Sequence, residues 1–293
     1  MMENFKFKKE FGQNFIFDGN LLSAIVSDSG ITENDEVLEI GAGAGTLTQK
    51  ICEKAKKVVS YEIDKKLTEH LKALENKNPN LKVVMADALK TPIEEIEKNF
   101  DGNYKIVANL PYYITSPMIF KFLEETKKVE SLTVMVQKEV AERFSAKENS
   151  KDYGIATIMI NYQADVQYLR TVKRQMFTPP PNVDSALIKI TPNQNKPKAN
   201  SNETFAKIVK ASFSMRRKTL QNNLFSSLNI SKEKTVELLN ALGKQPTTRA
   251  EELTISDFIF ISNNLWYFHQ YNSKKRIFRF FLHSKRCYFS YII

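Results

Sequence analysis

A chain of 293 residues, 42% hydrophobic and 26% charged, has the composition of an ordinary folded protein and the length for one large domain plus a small one. Its two cysteines, Cys52 and Cys287, form neither a CxxC nor a Cys/His spacing, so no disulfide framework and no metal site is expected, and a cytoplasmic setting fits best. The net charge is +10, but Lys274, Lys275, Arg276, Arg279, Lys285 and Arg286 supply six of it while residues 262–293 hold no acid, so the remaining basicity is modest and favours a polyanionic partner only weakly.

Along the chain, the start MMENFKFKKEFGQNF lacks an apolar signal core, and no stretch approaches the roughly 20 apolar residues of a membrane span. Neither export nor insertion is expected. From residue 36, β-rich runs alternate with helix-patterned segments: EVLEI (36–40), KVVSYEI (57–63), LKVVMAD (81–87), YKIVANL (104–110) and SLTVMVQ (131–137). That rhythm predicts an α/β fold with a parallel sheet and right-handed crossovers. ADVQYLRTV (164–172) and SALIKIT (185–191) flank the turn FTPPPNVD and bring the expected strand count to seven. The polar, Pro-containing stretch 192–202 reads as a linker between a first domain, 1–191, and a small helical one, 203–261. In the latter, Ser231 is a predicted N-cap and Gly243 a predicted C′ residue.

The first strand runs into GAGAGTLT, which places Gly41, Gly43 and Gly45 in the strand-to-helix turn where doubly wound folds hold a nucleotide. The spacing is GxGxG with no GKS/T, which disfavours NAD and a P-loop phosphate and suits an adenosyl ligand without phosphate. Glu62, 19 residues after Gly43, is placed for ribose hydroxyls. Asp87 is placed for the adenine amine, with the Ala88 backbone beside it. Each sign also has a plain reading, as a tight turn or a capping acid. Their order at the ends of strands one, two and three points to S-adenosylmethionine.

The motif NLPYY ends the fourth strand beside that cleft. The amino group of adenine is a poor nucleophile because its lone pair is delocalised into the ring. Two acceptors, the Asn109 side-chain oxygen and the Leu110 carbonyl, would each take one N6 hydrogen, with Pro111 fixing the backbone. Tyr112 offers a flat face to an extruded base, and Phe177, on the loop stiffened by Pro179 to Pro181, a second one. The competing readings are an Asn-x-Pro turn with a core tyrosine, and a Phe177 that only fills the core.

GQNFIFD (12–18), EIGAGAGTLT (39–48), NLPYYITSP (109–117), FTPPPNVDSA (177–186) and SFSMRRKTLQNNL (212–224) together resemble the successive motifs of the KsgA-type small-subunit ribosomal RNA adenine N6,N6-dimethyltransferases over about residues 8–261. The resemblance implies a Rossmann-like class I methyltransferase domain followed by a small helical domain. It implies dimethylation of two adjacent adenines in a hairpin near the 3′ end of small-subunit rRNA. The expected partner is that rRNA in a pre-ribosomal particle, and the expected state a monomer. The resemblance adds Asn14 and the Ile16 backbone to the cofactor residues. Lys8 and Lys9, interleaved with phenylalanines, then read as an arm touching RNA backbone or as a solvated arm, and Arg216, Arg217 and Lys218 as phosphate contacts or a wet face. Where the family often has Asn after NLPY, this chain has Tyr113. Residues 262–293, ten of them aromatic, resemble nothing in the family and read either as an RNA-binding extension or, preferably, as sequence outside the fold. The rival functions are the same chemistry on large-subunit RNA or DNA, and a non-catalytic RNA-binding or ribosome-assembly factor.

Overall fold

Glu36–Ile40 is buried at every position because it is an inner strand with parallel neighbours on both sides. The computed structural model describes residues 14–273, with side chains to Leu265. Its strands are β1 (Phe15–Ile16), β2 (Glu36–Ile40), β3 (Lys57–Tyr61), β4 (Leu81–Val84), β5 (Tyr104–Ala108), β6 (Val129–Gln137), β7 (Ala164–Val172), β8 (Phe177–Thr178) and β9 (Ser185–Pro192). Seven of them form one sheet in the order β4-β3-β2-β5-β6-β9-β7. The pairs β2–β3, β3–β4, β2–β5 and β5–β6 are parallel, and β9 runs antiparallel to β6. The expected mostly parallel, seven-stranded α/β sheet is therefore present. A second, two-stranded sheet pairs Ile16 of β1 with Phe177 of β8, which no pattern in the sequence announced.

Helices α1 (Gly19–Ser29), α2 (Thr46–Cys52), α3 (Thr68–Lys77), α4 (Ile93–Glu97) and α5 (Tyr112–Glu125) each follow a strand. Asp18 caps α1 by accepting the Leu21 N–H at 2.7 Å. Pro111 directly precedes α5, where its missing N–H costs nothing. Leu22, Ile25 and Val26 of α1 and Leu47 and Ile51 of α2 bury one face of the sheet at Val37, Val58 and Val107. The chain winds outward through β2, β3 and β4, then returns to β5 on the other side of β2. The loops leaving β2 and β5 consequently diverge and open a crevice at the carboxyl ends of those strands.

Contacts divide the chain into a unit reaching Glu142 with Asp165–Pro192, and a unit of Arg143–Ala164 with the residues from Asn193 onward. Helix α6 (Lys138–Phe144) contains the first of these divisions, between Glu142 and Arg143. The second unit holds α7 (Ile155–Asn161), α8 (Asn202–Ser212), α9 (Leu220–Leu228), α10 (Lys232–Ala241) and α11 (Ile255–Ser273). Its core is built from Phe205, Ile208, Leu224, Leu239 and Phe258. Ser231 caps α10 through the Lys234 N–H at 3.2 Å, and Gly243 follows at φ 68°, as the pattern predicted. In the stretch read as a linker, Lys196 donates to the carbonyls of Asn161 and Ala164 and Lys198 to that of Tyr162. Helix α11 does not stop at Ile261. Ser262 and Leu265 are each 1% exposed, so the boundary expected there moves at least to Leu265. The rest of the basic, aromatic tail from Lys274 lies outside the described residues.

Candidate active site

The crevice holds a cavity of about 230 Å³. Asn14, Ile16, Gly41, Gly43, Glu62, Asp87, Ala88, Asn109, Leu110 and Pro111 all line it, so most of the site residues read from the sequence meet in one place. Lys8 and Lys9 lie outside the described residues.

The glycine turn is shaped from below and above. Gly41 and Ala42 donate their N–H groups to the Tyr61 carbonyl at 2.8 and 3.2 Å, which folds the turn across β3. Gly43 has φ 54°, and a Cβ on it would lie 2.8 Å from Phe15 Cε1, so the buried Phe15 ring closes over the turn only because no side chain is there. Gly45 is different from the expectation. It is the N-cap of α2 and is not on the cavity wall; a Cβ there would meet Leu74 at 2.7 Å, so its role is close helix packing.

Glu62 is 4% exposed and already heavily engaged. Its Oε2 accepts the Gly43 N–H at 2.8 Å, while Oε1 accepts the Ile63 and Asp64 N–H groups at 2.8 Å each. A carboxylate has about four lone-pair sites, which leaves one on Oε2 for a ligand hydroxyl. The same side chain thus staples the glycine turn to the end of β3 and keeps an acceptor for the cavity. Asp87 accepts the Leu89 N–H at 3.0 Å through Oδ1, and Lys90 approaches its Oδ2 at 3.6 Å. That pair is solvent-exposed at the lysine and holds little energy. Beneath the turn, Glu39 is fully buried and its Oε2 accepts a hydrogen bond from Ser60 Oγ at 2.5 Å. Burial, with the charge of Glu62 nearby, pushes its pKa from 4.5 to about 7.

On the other wall, Asn109 Nδ2 donates to the Asn14 carbonyl at 3.0 Å. A carbonyl only accepts, so this contact fixes the amide's orientation and leaves Oδ1 as the acceptor. The two aromatics expected to clasp a base are not among the residues that line the cavity. Phe177 is 2% exposed and packs in the core with Ile16 and Leu22, because its pairing with Ile16 turns the ring inward; it offers no open stacking face. Tyr112 is half-buried and off the cavity wall, with its hydroxyl 2.7 Å from Ser185 Oγ at the start of β9. Burial raises its pKa.

Three contributors were not read from the sequence. Thr46 Oγ1 donates to the Ile16 carbonyl at 2.8 Å and ties β1 to the glycine turn. Ser185 anchors Tyr112. Lys121 of α5, 5% exposed, donates to the Leu89 and Thr91 carbonyls at 2.9 and 2.6 Å, so the loop carrying Asp87 hangs from the helix that begins at Tyr112. Its burial lowers its pKa. A lone lysine inside the apolar run MIFKFL was the visible signal for it.

The model of the family described as ribosomal RNA adenine dimethylase matches residues 4–265. The chain belongs to this family. Its cofactor is accordingly S-adenosylmethionine, and the cavity fits it: a carboxylate with a spare acceptor, and no lysine among the described residues of the wall, suits a ribose diol without phosphate. A curated relative, ribosomal RNA small subunit methyltransferase A of Caldanaerobacter subterraneus, is 45% identical over 265 residues, covering 89% of this chain and 98% of the relative. Among solved structures, a dimethyladenosine transferase from Plasmodium falciparum is 28% identical with a TM-score of 0.72, covering 88% of this chain and 98% of that one. The 23S rRNA methyltransferase ErmE is 25% identical with a TM-score of 0.66, covering 86% and 100%. The family match ends at Leu265, the last residue of α11 whose side chain is described.

As in the motif that suggested RNA contact, Arg216, Arg217 and Lys218 of this family member are exposed, in the loop between α8 and α9. Arg216 donates to the Lys151 carbonyl at 2.6 Å. Asn223, 1% exposed, shapes the loop by donating from Nδ2 to the Ser212 and Met215 carbonyls at 2.6 and 3.2 Å. Among the described residues, no helix is long and apolar enough to cross a membrane.

Proposed function

We propose that this chain transfers methyl groups to the N6 atoms of two adjacent adenines in the 3′-terminal hairpin of small-subunit rRNA, acting as a monomer on a pre-ribosomal particle in the cytoplasm. The observation that carries the reading is the Asn109 amide. It is held by Asn14 with Oδ1 left to accept, next to Leu110 and Pro111 on the wall of the cofactor cavity. When bound, S-adenosylmethionine supplies an electrophilic methyl on a sulfonium. Asn109 Oδ1 and the Leu110 carbonyl each accept one N6 hydrogen, which turns the nitrogen lone pair out of conjugation and toward that methyl. The bound sulfonium would supply the methyl and leave as a neutral thioether, and the now acidic amine proton would pass to water, so this chain need provide no strong base. Glu62 would hold a ribose hydroxyl and Asp87 the cofactor's adenine amine, with the Ala88 backbone alongside. Arg216, Arg217 and Lys218 contact phosphates on the second unit.

The test is methyl transfer from labelled cofactor to unmodified small- and large-subunit rRNA, followed by mapping of the labelled base. Label on two neighbouring small-subunit adenines supports the reading; label confined to large-subunit RNA, or none, removes it.

A further inference from the structure

Ile114, Met118 and Lys121 recur along α5 at i, i+4 and i+7, a spacing that puts all three on one stripe of the helix. Ile114 and Met118 line the cavity. One turn further on, Lys121 is 5% exposed and donates to the carbonyls of Leu89 and Thr91 at 2.9 and 2.6 Å. Those two residues are also the ones that hold Asp87. The Leu89 N–H donates to Asp87 Oδ1 at 3.0 Å, and the Thr91 N–H and hydroxyl each donate to the Asp87 carbonyl at 2.9 Å. The ammonium therefore fixes the carbonyl ends of the same residues whose donors orient the Asp87 carboxylate and backbone. Taking a charge out of water is costly unless it is paired and hydrogen-bonded, and an aliphatic side chain would fill this apolar stripe without that cost. Burial lowers the Lys121 pKa, and the charges of Glu125, Asp87 and Glu94 oppose that shift.

We infer that Lys121 is a positioning residue for the cofactor, holding the 87–91 turn so that the Asp87 carboxylate meets the purine amine. The assignment rests on the proposed hold of Asp87 on that amine. Lys121 is not among the residues that line the cavity, so it acts through the turn and not by contact with the ligand. Its two hydrogen bonds tie the turn after β4 to the helix that directly follows Asn109, Leu110 and Pro111. A hydrogen bond weakens steeply as its angle closes, so a turn released from α5 keeps its carboxylate but loses the aim.

The test is the preference for S-adenosylhomocysteine over its analogue with hydrogen in place of the purine amine. Both are titrated calorimetrically into the full chain and into its Lys121→Met, Lys121→Gln and Asp87→Ala variants. Partial unfolding weakens both ligands by the same factor, so their ratio stays put if Lys121 serves stability alone. The parent should prefer the amine by roughly 10- to 100-fold, the range of a charge-assisted hydrogen bond, and Asp87→Ala should abolish that preference. Lys121→Met should reduce it by about tenfold, toward the Asp87→Ala level. Lys121→Gln, one atom shorter and still polar, cannot reach both carbonyls unless the turn moves, and should reduce the preference too; the test therefore stands even where Lys121→Met does not fold. A folded Lys121 variant that keeps the parent preference, where Asp87→Ala loses it, overturns the inference. A parent without preference, or an Asp87→Ala variant that retains it, marks failure of the Asp87 assignment itself, and the inference then falls by a different signature.

Discussion

Replacing Glu62 with alanine removes the acceptor for three backbone N–H groups, those of Gly43, Ile63 and Asp64, at a position 4% exposed. Each buried donor left unpaired costs about 1–3 kcal/mol, but the space vacated by the carboxylate admits water, so the structural loss falls well below the threefold sum. The cofactor loses one charge-assisted bond to its ribose, about 1.5–3 kcal/mol, which is roughly 10- to 100-fold in Kd. Glu62→Gln discriminates further. Its single oxygen can serve either Gly43 or the Ile63–Asp64 pair, and the new NH₂ must then face a donor. Gln should therefore fall nearer to Ala than to the parent, both in cofactor Kd by calorimetry and in melting temperature. A parent-like Kd in the Ala variant, or a Gln variant indistinguishable from the parent, would refute the reasoning.

Glu39 makes stability depend on pH. Its folded pKa lies above the unfolded value, so its contribution is complete below pH 4.5 and is lost as pH rises through about 7, declining by about 1.4 kcal/mol for each pH unit between those two values. Glu39→Gln should flatten the decline of melting temperature between about pH 5 and about pH 8; an equal slope in both proteins rejects this. Truncation after Ile261 removes the buried Leu265 and should destabilise by about 2–5 kcal/mol, whereas truncation after Ser273 keeps it and should leave methyl transfer within about twofold. Equal melting temperatures for the two truncations would contradict that. Changing Arg216, Arg217 and Lys218 together to alanine should lower the salt slope of RNA affinity by about 2, at roughly 0.7 per phosphate contact on single strands. An unchanged slope makes them a solvated face.

The sheet was legible because each inner strand is a short apolar run bounded by turn residues, and because a parallel sheet puts the ends of β2, β3, β4 and β5 at one edge whatever the helices do. Gly41, Gly43, Glu62, Asp87 and Asn109 could be placed by order alone for that reason. What was not legible depends on contacts distant in sequence. Strands of two residues carry no period, so the β1–β8 ribbon was invisible, and with it the inward turn of Phe177. Whether Tyr112 or Tyr113 faces the cavity is settled by the rotation of α5, which two adjacent tyrosines cannot reveal. The second unit takes in 143–164 as well as the later helices, an association that no local pattern encodes. Past Ile261, the density of aromatics hid the apolar stripe that buries Leu265.

The central claim is that the Asn109 side-chain oxygen, oriented through Asn14, holds the N6 amine for transfer. It is tested most directly by the single-turnover rate of Asn109→Ala with saturating cofactor and small-subunit rRNA. The account predicts a rate lower by on the order of 100-fold or more, as for loss of one preorganised polar contact to a reacting group, with cofactor affinity within a few-fold of the parent. A variant that transfers methyl at the parent rate contradicts it.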